Sequence, residues 1–130
     1  MAAFIDSNIL IFLTTTQKDK QDKAMALLAD QAVVSVQVLY ELIDISRADG
    51  LDWNRTGNFV EVVATLAKVQ SLTLETNRLA RQMGEKYDLT FHDGMLVASA
   101  LEAGCDIIYS AELPAGMRFE DKLVVVNPFA

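Results

Sequence analysis

The sequence predicts an α/β domain built on a parallel sheet covered on both faces. Three observations carry that expectation. Apolar runs of three or four residues alternate with segments of helical periodicity, and strands of that brevity between helices imply a parallel sheet enclosed by helical layers. The first run passes straight into Asp6-Ser7-Asn8, whose side chains suit the start of a helix, so the chain opens on a strand-to-helix turn. Residues 95–103 are almost all apolar, and a helix of that composition has to be buried.

Residues 2–5 read as a short buried strand, and Asp6, Ser7 and Asn8 offer capping chemistry to a helix over 9–13. Residues 18–23 are polar, and a helix through 24–29 leads to a second strand at 32–35. The next helix, 36–49, places Leu39, Leu42, Ile43 and Ser46 on one stripe, with Gly50 just beyond its end and Glu41 and Asp44 off the stripe. Asp52 suits the cap of a helix reaching residue 68, despite the cost of Gly57 in its first turns, and 72–74 is the third strand expected. A helix over 76–87 follows. Thr90 then precedes the apolar helix 95–103, which Gly104 closes. Residues 107–109 and 123–126 supply two last strands, the latter stopped by Pro128.

With 130 residues, 52% of them hydrophobic and 22% charged, the chain fits one compact domain spanning 1–130 and can fill a core. The start MAAFID has no basic run ahead of its apolar stretch, and no other apolar run nears the ~20 residues of a membrane helix, so a soluble, cytoplasmic protein is expected. One cysteine, Cys105, and one histidine, His92, rule out an internal disulfide and any site built on clustered His and Cys. A metal would be held by oxygen. The net charge of −7 argues against gripping nucleic acid through the overall field, although a cation among carboxylates reverses the local sign.

In open parallel sheets the functional crevice lies beyond the carboxyl ends of the strands. Asp6 follows the first strand and Glu112 follows the fourth; if those strands are neighbours, both acids reach one crevice, as can Asp93 and Glu41. Two carboxylates about 5 Å apart repel by roughly 3 kcal/mol at an effective dielectric of ~20, so such a cluster takes up protons or a cation. Oxygen ligands suit Mg²⁺ or Mn²⁺, which can activate water for a phosphodiester displacement. Each residue also has a plainer reading. Asp6 suits an N-cap, Glu41 a solvated helix face, Asp93 the first turn at capping-box spacing from Thr90, and Glu112 a surface loop. His92 suits a packed or exposed ring and Cys105 a small buried residue.

Four segments taken together resemble the PIN-domain family, and within it the VapC-type toxins of bacterial toxin–antitoxin pairs. They are FIDSNIL at 4–10, SVQVLYEL at 35–42, LTFHDGMLVASALEAGCDIIYSAEL at 89–113 and VVNPF at 125–129. The resemblance implies a three-layer α/β/α sandwich with a five-stranded parallel sheet in which the first and fourth strands are adjacent. It also implies a divalent-metal-dependent endoribonuclease, with Mg²⁺ or Mn²⁺ held by Asp6, Asp93 and Glu41, and Glu112 as the fourth catalytic acid. Asn8 and Ser110 match polar positions lining the same site. An RNA substrate, a homodimer and a cognate antitoxin are the partners implied, and a mean hydropathy of +0.22 agrees with apolar surface kept for interfaces. Two departures stand out. Gly94 replaces the usual alanine, which loosens the helix start. Ser110-Ala111-Glu112-Leu113 replaces the common serine-glutamate-aspartate-leucine, which lengthens the fourth acid by a methylene. Two rival readings are a catalytically silent protein-binding module on the same fold and a phosphotransfer enzyme with Asp6 as nucleophile, although Asn8 stands where such phosphatases carry a second acid.

Overall fold

The computed structural model describes residues 2–130. Strand β1 (Ala3–Ile5) leads into α1 (Ser7–Leu10), which a 3₁₀ turn over Ile11–Thr14 continues, and α2 (Lys18–Leu28) connects to β2 (Ala32–Ser35). Helices α3 (Val36–Ala48) and α4 (Trp53–Leu66) precede β3 (Lys68–Gln70), and α5 (Leu74–Tyr87) and α6 (Phe91–Glu102) precede β4 (Ile107–Tyr109). The chain closes with β5 (Arg118–Phe119) and β6 (Leu123–Val126).

The strands lie in the order β3-β2-β1-β4-β6-β5. The first five are parallel, as expected, and β1 and β4 are neighbours, with Ala3 opposite Ile107 and Ile5 opposite Tyr109. The sixth, β5, was not expected. It runs antiparallel to β6 through a tight turn in which Glu120 and Asp121 both take positive φ and the Lys122 amide donates to the Phe119 carbonyl. Tyr87 pins that turn to α5 by accepting from the Glu120 amide at 2.8 Å.

The third strand is Lys68–Gln70 rather than 72–74. Leu72 to Leu74 lose the competition because Thr73 and Thr76 form a reciprocal capping box: the Thr76 amide donates to Thr73 Oγ1 and the Thr73 amide to Thr76 Oγ1. An edge strand also needs only one apolar residue, here Val69, so its sequence signal is faint. Helix α2 takes in the polar stretch 18–23 because only Ala24 and Leu28 need burial, while Lys18 and Asp22 pair across one turn in solvent. Helix α6 starts at Phe91, four residues ahead of its apolar stretch, with the Thr90 hydroxyl accepting from the Asp93 amide. Its middle, Leu96 to Ala100, is wholly buried against the core that Phe4, Ile5 and Ile108 build in the sheet.

Gly94 has a stronger reason than a loosened helix start. A Cβ there would stand 2.6 Å from the Ala80 carbonyl oxygen, so the bare glycine lets α5 and α6 cross backbone to backbone. Gly94→Ala is therefore expected to destabilise the fold by about 1–2 kcal/mol, because forcing two backbones apart outweighs the ~1 kcal/mol that alanine gains in a helix. Denaturant unfolding of the metal-free protein checks this, and a more stable Gly94→Ala would contradict it.

Candidate active site

Asp6 is the first residue beyond β1 and caps α1, its Oδ1 accepting from the Ser7 amide at 2.7 Å. Its Oδ2 accepts from the Ser110 hydroxyl and from the Asn8 side-chain amide, each at 3.0 Å. Ser110 directly follows β4, so the pairing of β1 with β4 sets the two strand ends side by side. The amides of Glu112 and Leu113 donate into Ser110 Oγ at 3.2 and 3.1 Å, which leaves that hydroxyl's hydrogen for Asp6. The Ala111 amide donates to Asn8 Oδ1 at 3.0 Å, which fixes the Asn8 amide with its nitrogen toward the carboxylate.

Asp6 is 3% exposed, and burial pushes its carboxyl above the usual range despite the bonds from Ser110 and Ser7; the charge of Glu112 pushes it further. Glu41 lies on α3 beside the buried Leu42 rather than on a solvated face, its side chain 21% exposed. Its Oε1 is 3.4 Å from the Ser7 hydroxyl and its Oε2 is 2.7 Å from His92 Nε2. Burial raises the Glu41 carboxyl to about 7, with His92 opposing and Asp6 and Glu112 adding to the rise.

The predicted residues thus divide into three groups. Asp6, Asn8 and Ser110 are bonded together, and Glu41 joins them through Ser7. Glu112 is exposed and contributes charge to Asp6 and Glu41, its backbone held by Ser110. Asp93 sits in the first turn of α6, next to His92, and its carboxylate makes no hydrogen bond or ion pair with another described residue. The cap at Thr90 uses the Asp93 amide and leaves the carboxylate uncommitted. Sequence reasoning missed Ser7, His92 and Gln37; the signals were the adjacency of Ser7 to Asp6 and of His92 to Asp93, and the one-turn spacing of Gln37 from Glu41. Cys105 is buried, as expected, and burial raises its thiol to about 11, which keeps it inert.

The donor set fits a hard divalent cation. Its oxygens are carboxylates that burial and mutual repulsion leave short of negative-charge compensation. No three His, Cys, Asp or Glu side chains among the described residues stand as a ready cage, and Mg²⁺ needs none, since it binds through one or two carboxylates and keeps several waters.

A pH dependence follows for the metal-free protein. Glu41 is raised from 4.5 to about 7, so its contribution to stability is fully present below pH 4.5 and is lost as pH rises to about 7. Glu41→Gln is expected to flatten that decline. Denaturant unfolding in chelator at several pH values checks this; an unchanged slope in Glu41→Gln would contradict it.

The family model of the PIN domain matches residues 3–112. The chain belongs to the PIN domain family. Solved structures of low sequence identity share its fold. A chain of a toxin–antitoxin complex from Klebsiella pneumoniae superimposes with a TM-score of 0.74 at 15% identity, covering 97% of each chain. A sarcin-ricin-loop-cleaving VapC toxin of Mycobacterium tuberculosis gives 0.66 at 17% identity, over 85% of this chain and 90% of that one. A VapBC complex from nontypeable Haemophilus influenzae gives 0.69 at 15% identity and covers all of both chains, 100% each. A comparison with curated proteins gave no match. No described helix of this PIN domain is long and apolar enough to cross a membrane.

Proposed function

We propose that this PIN domain is a divalent-metal-dependent endoribonuclease, hydrolysing RNA phosphodiester bonds as the toxin of a toxin–antitoxin pair. The observation that carries the reading is the buried Asp6 carboxylate at the paired ends of β1 and β4, locked by Ser110 and Asn8 and faced by Glu41. The toxin–antitoxin neighbours support it at the level of fold.

Asp6 and Asp93 would hold Mg²⁺ or Mn²⁺, with Glu41 as a third ligand or as the group that orients water. The cation, when bound, polarises water and offsets the charge that develops on the phosphate oxygens. The chain's own residues do the rest. Ser110 and Asn8 fix both lone-pair directions of Asp6 Oδ2, so that carboxylate presents Oδ1 without rotating. Glu41 would act as its carboxylate once a cation balances the cluster, and its Oε1 faces Ser7 on the Asp6 side, where it can orient a water. Glu112 adds negative charge at the rim that strengthens cation uptake. With an overall charge of −7, contacts to the RNA backbone would have to come from individual Lys and Arg side chains rather than from the protein's field.

The protein works in the cytoplasm as a homodimer and is restrained by a cognate antitoxin. The exposed Tyr40, Trp53, Leu74 and Phe91 offer apolar surface of the kind partners cover. Attack of water on phosphorus leaves a 5′-phosphate and a 3′-hydroxyl, so the test is to treat total RNA with purified protein and map the new ends. New 5′-phosphate ends that need added metal support the reading; 2′,3′-cyclic phosphate ends, or no new ends, contradict it.

A further inference from the structure

His92 and Gln37 form a contact for which the site as described so far has no use. The Gln37 side-chain nitrogen lies 3.1 Å from the His92 carbonyl oxygen and 3.3 Å from His92 Nδ1. A carbonyl only accepts, so the atom facing it is the amide nitrogen; the flipped amide would set two acceptors against each other. One amide hydrogen therefore goes to the carbonyl. The second points at Nδ1, which must then be the unprotonated ring nitrogen. The ring's proton is left on Nε2, 2.7 Å from Glu41 Oε2. Gln37 and Glu41 are one turn apart on α3, so both anchors of the ring stand on the same helix, while the ring itself comes from the first turn of α6.

We propose that Gln37 and His92 brace Glu41 for the reaction: Gln37 holds the His92 ring through its Nδ1 edge, Nε2–H donates to Glu41 Oε2, and Oε1 stays turned toward Ser7 and Asp6 as the working oxygen. What Glu41 then does rests on the nuclease reading above, and the tautomer does not. Without the brace the carboxylate is free to rotate about its last bond, and the charges of Asp6 and Glu112 push it away from the cleft. The brace also ties α3 to α6 beside Asp93, so the two helices that carry Glu41 and Asp93 are held at one spacing. His92 touches neither metal nor RNA in this role; it positions the residue that does.

His92 is the chain's only histidine, so the ring-nitrogen NMR spectrum of labelled protein reports on it alone. In metal-free wild type at neutral pH, Nε2 is expected to be protonated and Nδ1 bare. Gln37→Leu removes the donor opposite Nδ1 and is expected to let the ring's proton move to that nitrogen. A ring proton held on Nδ1 in wild type, or a ring that does not respond to Gln37→Leu, would overturn the brace. Kinetics supply the second arm. His92→Phe is expected to lower kcat about 10- to 100-fold with little change in KM, and His92→Gln, whose amide can donate to Glu41, to recover most of it. Equal losses in both variants, or a loss confined to KM, would overturn the positioning role. A wild type that cleaves no RNA would defeat the nuclease reading instead, and the ring spectrum, which needs no substrate, tells the two failures apart.

Discussion

Asp6→Asn is expected to lower RNA cleavage by about a thousandfold while leaving the fold in place. The size follows from what a metal ligand supplies, several kcal/mol of stabilisation of developing charge, since ~4 kcal/mol corresponds to about a thousandfold in rate. The survival of the fold follows from the local hydrogen bonds. Asparagine keeps the oxygen that accepts from the Ser7 amide and so keeps the cap of α1. Its new amide nitrogen meets the Asn8 nitrogen, donor against donor, and a Ser110 oxygen that already accepts two amides. Those bonds are worth about 1 kcal/mol each, and their loss is offset by removing a buried charge that Glu41 and Glu112 repel. Circular dichroism and thermal unfolding should therefore change little while cleavage collapses. An Asp6→Asn protein within tenfold of wild-type activity would remove Asp6 from the chemistry.

The second large effect separates a metal-binding Asp93 from one that only completes a helix turn. In wild type, metal at a hundred times its Kd should stabilise the folded protein by about 2.7 kcal/mol, raising the unfolding temperature on the order of 10 °C for a domain of this size. Asp93→Asn should gain much less. In chelator the same variant should be as stable as wild type or more so, because it removes one charge from a cluster that has no cation to balance it. If Asp93 merely favoured the positive end of α6, its loss would cost about 0.3–1 kcal/mol in chelator and the gain from metal would be untouched. The cap at Thr90 engages only the Asp93 amide, so the carboxylate is open to either role. Thermal unfolding of both proteins, in chelator and in millimolar Mg²⁺ or Mn²⁺, distinguishes the two by sign.

Much of the fold was legible because the strands that form the middle of the sheet are largely buried and built mostly of apolar residues. Ala32–Ser35, Ile107–Tyr109 and Leu123–Val126 stand where the sequence placed them. The edges were not legible. Lys68–Gln70 needs one apolar residue and Arg118–Phe119 is two residues long, so neither leaves a pattern, and the apolar Leu72 and Leu74 drew the third strand away from its position. At the site, Asp6 and Glu112 could be placed from their positions after two strands, with the family resemblance supplying the adjacency of those strands and the place of Ser110. The burial of Glu41 was hidden because its partners come from other segments: Ser7 from α1 and His92 from the first turn of α6. For Gly94 the sequence suggested a local cost and the structure shows a tertiary cause, the crossing against Ala80. Periodicity reports on one element at a time, and each of these features depends on where a second element lies.

Uptake of a divalent cation by the acidic cluster can be followed by stripping the purified protein with chelator and titrating Mg²⁺ or Mn²⁺ back while measuring both RNA cleavage and the unfolding temperature. No cleavage is expected before metal is added, followed by a recovery that saturates over the same concentrations at which the protein is stabilised. Cleavage that persists in chelator, or a folded protein that stays inactive and unstabilised at every metal concentration, would contradict it.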